Sequence, residues 1–225
     1  MLVLLFDIDG TLLNSGGSGQ AAMEAVLQRD FGANRPVVGI ATAGRTDRAI
    51  TADLLTFCEV PTDELTRERF LAAYLAELPL HLARQQGVVL PGVRELLSAL
   101  AGREDVVIGL LTGNFAEGAR VKLAHFELHH HFAFGGYGDH HPDRDDVARV
   151  ARELVRERHP HVVDERVWVI GDTPADIRCA RAIGAKVLAV ATGIYAAAEL
   201  EPHAPDVLLQ DLSDVPEVLK SFGLS

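Results

Sequence analysis

The sequence predicts an α/β fold, in which a Rossmann-like parallel sheet carries an inserted helical-bundle cap. Five short runs rich in Val, Leu and Ile do not alternate with polar residues, and this is typical of strands buried on both faces. Helical patterns separate most of these runs, and such alternation indicates a parallel sheet with helices on both sides. A long stretch with only helical patterns follows the first run, and this stretch predicts the cap.

The spacing of apolar residues sets the predicted bounds of strands and helices. Strands are predicted at residues 2–6, 106–111, 167–170, 187–190 and 207–209. Helices are predicted over 92–101, 115–126, 144–158 and 174–183. In the first of these helices, Pro91 marks the start and Gly102 the end, because helices favour proline in their first turn and glycine just past their end.

The segment from about residue 20 to 86 contains helical patterns and no convincing strand. We therefore predict an α/β core formed by residues 1–15 and 87–225, with residues 16–86 inserted as the cap. A Gly/Ser-rich run and a glycine flank the insert. Flexible hinges around a helical insert suggest a mobile lid, and an ordinary surface loop is the alternative interpretation of the Gly/Ser run.

Composition and charge exclude several classes of protein. The 225-residue chain has 32 acidic and 21 basic residues, with a formal net charge of −11, which argues against a nucleic-acid-binding protein because such proteins need a basic face. No apolar run approaches the ~18 residues of a membrane span. The two cysteines, Cys58 and Cys179, form no disulfide framework. We expect a cytoplasmic protein with neither nucleic-acid nor membrane partners, and the sequence indicates no oligomeric state.

Polar residues follow three of the predicted strands directly at their carboxyl ends. The three clusters are Asp7-Ile8-Asp9-Gly10-Thr11, Thr112-Gly113-Asn114 and Gly171-Asp172-Thr173-Pro174-Ala175-Asp176. In open α/β sheets the ligand crevice lies at these strand ends. Each cluster alone is compatible with an ordinary turn or helix start, but the three together predict one shared site.

Four carboxyl groups would meet in that crevice, those of Asp7, Asp9, Asp172 and Asp176. Like charges in a small site repel one another unless a cation is bound or some groups are protonated. A hard divalent cation prefers oxygen ligands, and Mg²⁺ is the usual ion where a phosphate shares the site. The sequence therefore predicts a Mg²⁺ site at this edge of the sheet.

A second part of the predicted site would bind an anion. Thr112 offers a hydroxyl group, and Gly113 and Asn114 precede a predicted helix, so that their backbone N–H groups could meet an anion at its positive end. Carboxylates, a metal ion and an anion site together point to phosphoryl transfer.

The three clusters resemble three of the four signature motifs of the haloacid dehalogenase-like hydrolase superfamily, and the resemblance covers nearly the whole chain. The insert resembles the cap of phosphoglycolate phosphatases and β-phosphoglucomutases. The resemblance implies a phosphatase that acts on a small phosphorylated metabolite, phosphoglycolate-like or a sugar phosphate, through an aspartyl-phosphate. The alternatives are a β-phosphoglucomutase-type phosphotransferase and a catalytically weak regulatory or binding protein with the same fold.

The resemblance also implies roles for individual residues. Asp7 would be the nucleophile, and Asp9 would act first as general acid and then as general base. Mg²⁺ would be held by the carboxylates of Asp7 and Asp172 and by the backbone carbonyl of Asp9. Asp176 would not bind the metal directly but would support the residues that do. Thr112 and the following amide would bind the phosphoryl oxygens. Dehalogenases of the superfamily carry Tyr at the position of Asp9, so this residue favours phosphate chemistry.

The fourth signature departs from the pattern of the superfamily. Relatives usually carry a lysine at a helix start before the last motif, whereas the stretch 139–147 contains no lysine. Arg144 begins the predicted helix and is our candidate for the cation that neutralises nucleophile and phosphate. A guanidinium can do this as a bidentate fork, with a geometry that differs from that of lysine. Lys122 is the alternative candidate, although a solvated helix lysine is its plainer interpretation.

Arg45 in the cap is a candidate specificity residue. In capped relatives, a loop between the first two cap helices reaches into the site and reads the leaving group. Arg45 could pair there with a carboxylate or second phosphate of the substrate. In the alternative interpretation, Thr46 or Asp47 caps the next helix and Arg45 is solvated.

Overall fold

The computed structural model describes residues 1–33 and 37–224. In this part of the chain the strands are β1 (Leu2–Phe6), β2 (Leu13–Asn14), β3 (Val88–Val89), β4 (Val106–Leu111), β5 (Gly135–Gly136), β6 (Val167–Gly171), β7 (Lys186–Val190) and β8 (Val207–Leu209). The α-helices are α1 (Ser18–Phe31), α2 (Asp47–Phe57), α3 (Glu64–Arg84), α4 (Val93–Leu100), α5 (Ala116–His125), α6 (Arg144–Arg158), α7 (Pro174–Ala182), α8 (Ala197–Leu200) and α9 (Val215–Ser221).

Six strands form a parallel sheet in the order β5-β4-β1-β6-β7-β8, and β2 pairs with β3 in a separate antiparallel ribbon. The predicted α/β class with a parallel sheet is thereby confirmed. β1 lies between β4 and β6, so that Val3 is paired with Val107 on one side and Val167 on the other. This order brings the carboxyl ends of the three strands that precede the polar clusters side by side.

The predicted strands agree with the observed ones to within one residue. The prediction from the sequence does not include β2, β3 and β5, each of which is two residues long. So short a strand has no hydrophobic pattern of its own. The prediction also does not include α8 and α9 near the end of the chain.

Apolar side chains cover both faces of the sheet. Leu4 and Phe6 belong to a buried cluster on one face, whereas Val3 and Leu5 belong to a buried cluster on the other. All five residues of β1 are buried, because alternate side chains of a central strand point into opposite layers. The burial of both faces explains why the strands appear in the sequence as unbroken apolar runs.

The helices α1, α2 and α3 lie between β2 and β3 and form the cap. Their apolar faces enclose a third buried cluster that includes Leu27, Leu55, Phe70 and Leu78. Thr46 caps α2 by accepting a hydrogen bond from the backbone of Ala49 (3.2 Å). The three helices fall inside the segment 16–86 that the sequence assigns to the cap, and the domain boundaries themselves stay a prediction.

The helices of the described residues do not combine the length and apolar character needed to cross a membrane.

Candidate active site

A cavity of about 380 Å³ opens at the carboxyl ends of the central strands, between the sheet and the cap. Asp7 follows β1, Asp172 follows β6, and Gly113 and Asn114 follow β4, and all four residues line the cavity. Since β4, β1 and β6 are neighbours in the sheet, the strand order itself brings these distant parts of the sequence together. Thr112 is fully buried directly behind them.

Three carboxylates lie together in this region. Oxygen atoms of Asp7, Asp172 and Asp176 lie within 4.8 Å of one another, and all three residues are buried. Asp176 is held in place as part of a capping box at the start of α7, because its Oδ2 accepts hydrogen bonds from the backbone N–H (2.9 Å) and the hydroxyl (2.7 Å) of Thr173. We call these three residues the carboxylate cluster.

Two glycines make room for the carboxylate of Asp172. A Cβ atom at Gly193 would lie 1.7 Å from Oδ2 of Asp172, and one at Gly10 would lie 2.4 Å from the same oxygen. Gly10 also has φ +85°, in the left-handed region that favours glycine. The hydroxyl of Thr11 donates to Oδ1 of Asp172 at 3.0 Å. The orientation of this carboxylate is therefore fixed by several elements at once.

Burial and nearby negative charge raise the pKa values of Asp7 and Asp172. Burial raises the pKa of Asp7 to about 6, although Arg144 opposes the rise. Burial and the nearby charges of Asp176 and Asp7 raise the pKa of Asp172 to about 8. Without a further cation, this cluster therefore holds protons near neutral pH.

Arg144 is the cation of the cluster. Its Nη2 lies 2.9 Å from Oδ1 of Asp7 and 2.6 Å from Oδ1 of Asp176, and the same nitrogen is 3.3 Å from the carbonyl of Leu111. Burial would lower the pKa of Arg144, but Asp176 and Asp7 outweigh it and raise that pKa further. A single nitrogen makes all three contacts, and Nε has no hydrogen-bond partner among the described residues.

The carboxylate of Asp9 lines the same cavity as Asp7 and Asp172 but lies outside the carboxylate cluster. Its Oδ2 lies 2.6 Å from Nζ of Lys122 and accepts a hydrogen bond from Nδ2 of Asn114 at 2.9 Å. The chain leaves the extended conformation after Phe6 and turns at Gly10. As a result, Asp7 and Asp9 are not held in the strand geometry that would point both side chains the same way.

Lys122 is buried, so its interpretation as a solvated helix lysine is wrong. The residue is only 5% exposed, and its Nζ donates to Asp9 and to Oδ1 of Asn114 (2.7 Å). Burial would raise the pKa of Asp9, but the ammonium group and the hydrogen bonds from Asn114 and Ser15 lower it overall. Asp9 and Asp47 in turn raise the pKa of Lys122 against the effect of burial. The pair is charged at neutral pH.

The segment after β4 that carries the predicted anion site makes several internal hydrogen bonds. The helix α5 begins at Ala116, one residue after its predicted start, and Gly113 and Asn114 precede it as expected. The backbone N–H of Asn114 donates to the hydroxyl of Thr112 (3.3 Å), and its side-chain Nδ2 donates to the same oxygen (2.8 Å). The amide and side chain of Asn114 thus serve internal contacts in this structure.

The cap loop before α2 docks on the segment after β4, and the sequence did not indicate this contact. The backbone N–H of Asp47 donates to the carbonyl of Gly113 at 2.7 Å, and its Oδ2 accepts from the backbone N–H of Phe115 at 2.9 Å. Thr46 and Arg48 donate to the carbonyls of Pro142 (3.1 Å) and Asp139 (3.0 Å). Burial raises the pKa of Asp47 to about 6.

Gly113 is the position at which this docking tolerates no side chain. A Cβ atom there would lie 2.1 Å from the backbone oxygen of Arg45, so we expect Gly113→Ala to destabilise the protein by about 1–3 kcal/mol through overpacking. Gly118→Ala in α5 is the matched control, because its nearest contact would be an ordinary 3.4 Å from Tyr74 and alanine favours a helix by about 0.5–1 kcal/mol. Urea unfolding of both variants checks the opposite signs, and equal destabilisation would contradict this description of the cap contact.

Arg45 lines the cavity but has a partner within the cap. Its Nη2 lies 2.7 Å from Oδ2 of Asp53, and its Nη1 donates to the carbonyl of Ala41 at 3.1 Å. The side chain is one-third exposed. Its role in specificity stays a prediction.

Comparisons with known proteins fit this geometry. The family model for haloacid dehalogenase-like hydrolases matches residues 4–181, which is more than half of the chain. No curated protein matches the chain.

Solved structures of low sequence identity share the fold. A hydrolase from Pseudomonas syringae is 22% identical over 98% of both chains, with a TM-score of 0.73. A predicted phosphoglycolate phosphatase from Haemophilus somnus is 18% identical over 96% of both chains, with a TM-score of 0.71. A protein from Thermotoga maritima, provisionally assigned as a β-phosphoglucomutase, is 23% identical over 98% of this chain and 99% of that chain, with a TM-score of 0.63. From the family match, together with the motif residues that the fold brings to one cavity, the chain belongs to the haloacid dehalogenase-like hydrolases.

Proposed function

We propose that the protein is a Mg²⁺-dependent phosphatase that hydrolyses a small phosphorylated metabolite through an aspartyl-phosphate on Asp7. The proposal rests on the buried carboxylate cluster and its ion pair with Arg144. This cluster lies at the carboxyl ends of the strands, on the sheet side of the cavity. Family membership supports the same chemistry. A cytoplasmic location stays a prediction from the sequence.

The carboxylate cluster fits a hard divalent cation. It offers only oxygen ligands, and the raised pKa of Asp172 is the sign of negative charge that Arg144 alone does not balance. We propose that Asp7 and Asp172 hold Mg²⁺ together with the backbone carbonyl of Asp9, and that Asp176 supports the site from its capping box. When bound, Mg²⁺ would supply positive charge that screens the phosphate dianion from the nucleophile.

Asp7 is the residue that we assign as nucleophile. Its Oδ1 lies 2.9 Å from Arg144, which holds the carboxylate and adds positive charge where a phosphate would arrive. In the first step a carboxylate oxygen of Asp7 forms a bond to phosphorus, and the bond from phosphorus to the leaving oxygen breaks. Water then attacks phosphorus in the second step, which releases inorganic phosphate and restores the carboxylate.

Asp9 is the residue that we assign to proton transfer. Lys122 and Asn114 hold its carboxylate at 2.6 Å and 2.9 Å, so its position does not depend on the cluster. The lowered pKa of Asp9 gives the anionic form that a general base needs in the second step. For the first step the same carboxyl group would first take up a proton from solvent, which the negative charge of a bound phosphate favours by raising its pKa. It would then pass that proton to the leaving oxygen.

Phosphate release from p-nitrophenyl phosphate in the presence of Mg²⁺ tests the proposal. We expect hydrolysis that EDTA abolishes and added Mg²⁺ restores, while circular dichroism shows that the EDTA-treated protein stays folded. Transfer of phosphate between positions of a sugar without its release would favour the phosphotransferase alternative. The absence of any turnover with Mg²⁺ would favour a regulatory or binding protein.

The affinity for Mg²⁺ should depend on pH, because the metal competes with protons. The pKa values of Asp7 and Asp172, about 6 and about 8, lie above their ordinary range, so metal binding releases protons at neutral pH. A rise from pH 6 to pH 8 should therefore raise the apparent Mg²⁺ affinity by about 100-fold. Isothermal titration at several pH values, in buffers of different ionisation enthalpy, measures both the affinity and the protons released. An affinity that stays constant over this range would contradict the assigned ligands.

A further inference from the structure

We infer that the leaving group of the substrate is an uncharged alcohol with an apolar face, and that it carries neither a carboxylate nor a second phosphate. This inference rests on the proposed phosphatase function. It concerns the part of the cavity between the cap helices and Asp9, which the phosphoryl group itself does not need.

The cap side of this cavity is largely apolar. Its wall is formed by Met23 of α1, Ile50 and Leu54 of α2, and by Val37 and Ile40 from the loop between them. The cavity volume of about 380 Å³ lies within the range of sites that enclose a complete small ligand. A two-carbon acid would leave most of this apolar wall uncovered, whereas a leaving group with carbon atoms on one face would cover it.

The cations that line the cavity are already paired. Among the described residues these cations are Arg45, Lys122 and Arg144, and each lies 2.6–2.9 Å from a carboxylate of the protein. A carboxylate or second phosphate on the leaving group would have to break such a pair to gain a partner. The cost of leaving the buried carboxylates of Asp7 and Asp176 unpaired opposes this exchange at Arg144. Asp53 is half exposed, so at Arg45 only the loss of the ion pair itself opposes the exchange.

Acidic side chains line the same side of the cavity. Glu24 of α1 faces it, and its carboxylate accepts a hydrogen bond from the neutral amide of Gln20 at 2.8 Å. Asp47 at the start of α2 also lines the cavity, and the charge of Lys122 acts on its carboxyl group. An anionic leaving group would meet these like charges, and such contacts discriminate strongly against a ligand.

Tyr74 of α3 supplies a polar group that lacks a partner. The residue is fully buried and lines the cavity, and its hydroxyl oxygen has no hydrogen-bond partner among the described residues. Buried polar groups of this kind are nearly always satisfied by protein, water or a ligand. A hydroxyl or ether oxygen of an uncharged leaving group would complete this site.

Four small phosphate monoesters test the inference on the wild-type protein with Mg²⁺. Ethylene glycol monophosphate and 2-phosphoglycolate have leaving groups of the same length that differ in charge, and n-butyl and ethyl phosphate differ in apolar length. We expect kcat/KM to be about tenfold or more higher for the glycol ester than for phosphoglycolate. We expect n-butyl phosphate to exceed ethyl phosphate by about tenfold, since each buried methylene contributes about 0.8 kcal/mol.

Two substitutions connect these ratios to the cavity. Glu24→Gln should raise kcat/KM for phosphoglycolate by about threefold or more without a similar gain for the glycol ester, since it removes one repelling charge. Glu157→Gln on the exposed face of α6 is the matched control and should change neither value. Tyr74→Phe should lower the ratio of kcat/KM for the glycol ester to that for n-butyl phosphate by about fivefold, since only the glycol ester has an oxygen for the tyrosine hydroxyl.

The outcomes separate the inference from the function on which it rests. A preference for phosphoglycolate, or a selective loss of its hydrolysis in Arg45→Ala, would overturn the inference while leaving the phosphatase in place. Hydrolysis of none of the four esters, and of no p-nitrophenyl phosphate, would overturn both.

Discussion

Asp7→Asn should abolish phosphate release, with a loss in kcat on the order of 10⁴-fold or more, as seen when a nucleophile is removed. The carboxamide has nearly the same shape as the carboxylate, but it has no anionic oxygen to attack phosphorus. The fold should survive, because Asp7 is buried with a raised pKa, so a neutral group at this position costs little. Arg144 keeps its contact with Asp176 at 2.6 Å.

Steady-state phosphate release and thermal unfolding measure the two halves of this prediction. Asp105→Asn is the matched control, since the same chemical change is made at an exposed side chain that pairs with Arg103 just before β4. We expect wild-type kinetics for the control. Substantial turnover by Asp7→Asn would exclude this residue as nucleophile.

Arg144→Met should lower kcat/KM on the order of 10²–10³-fold, because it removes the charge that faces both the nucleophile and the phosphate. It should also destabilise the protein, since Asp7 and Asp176 would lose their buried counter-charge. Arg144→Lys distinguishes charge from structure. Because Nη2 alone makes the contacts of the guanidinium with Asp7, Asp176 and Leu111, an ammonium group can replace it, and the lysine variant should lie within about tenfold of the wild type.

Kinetics and urea unfolding of both variants check this prediction. We expect the lysine variant to recover activity that the methionine variant lacks at equal folded fraction. Equal and severe losses in two folded variants would mean that the planar guanidinium itself is needed. Full activity of Arg144→Met would leave Lys122 as the candidate for the neutralising cation.

The sheet could be predicted because its strands are buried on both faces and their ends carry the polar clusters. Each cluster follows its strand within a few residues, so Asp7, Thr112 and Asp172 could be placed at one edge from local patterns. β5 could not be predicted in this way, because it consists of Gly135 and Gly136 alone.

The partners of Asp9 could not be predicted, since Lys122 lies 113 residues away in the sequence. A weak signal exists in α5, where Lys122 shares the helical spacing of Ala119 and Leu123, which are buried apolar residues. A lysine on such a stripe indicates a buried ion pair, but not which carboxylate completes it. The contact of Asp47 with the amide of Phe115 left no signal, because an acidic residue at a helix start has an ordinary local explanation.

Borohydride reduction during turnover tests the central claim most directly. Enzyme mixed with substrate and Mg²⁺ is quenched while hydrolysis proceeds, then reduced, digested and analysed by mass spectrometry. An acyl phosphate on Asp7 would be reduced to homoserine, so we expect homoserine at position 7 only when substrate and Mg²⁺ are both present, and none in Asp7→Asn. Phosphate release with an unmodified Asp7 throughout, or homoserine at another aspartate, would contradict the proposed mechanism.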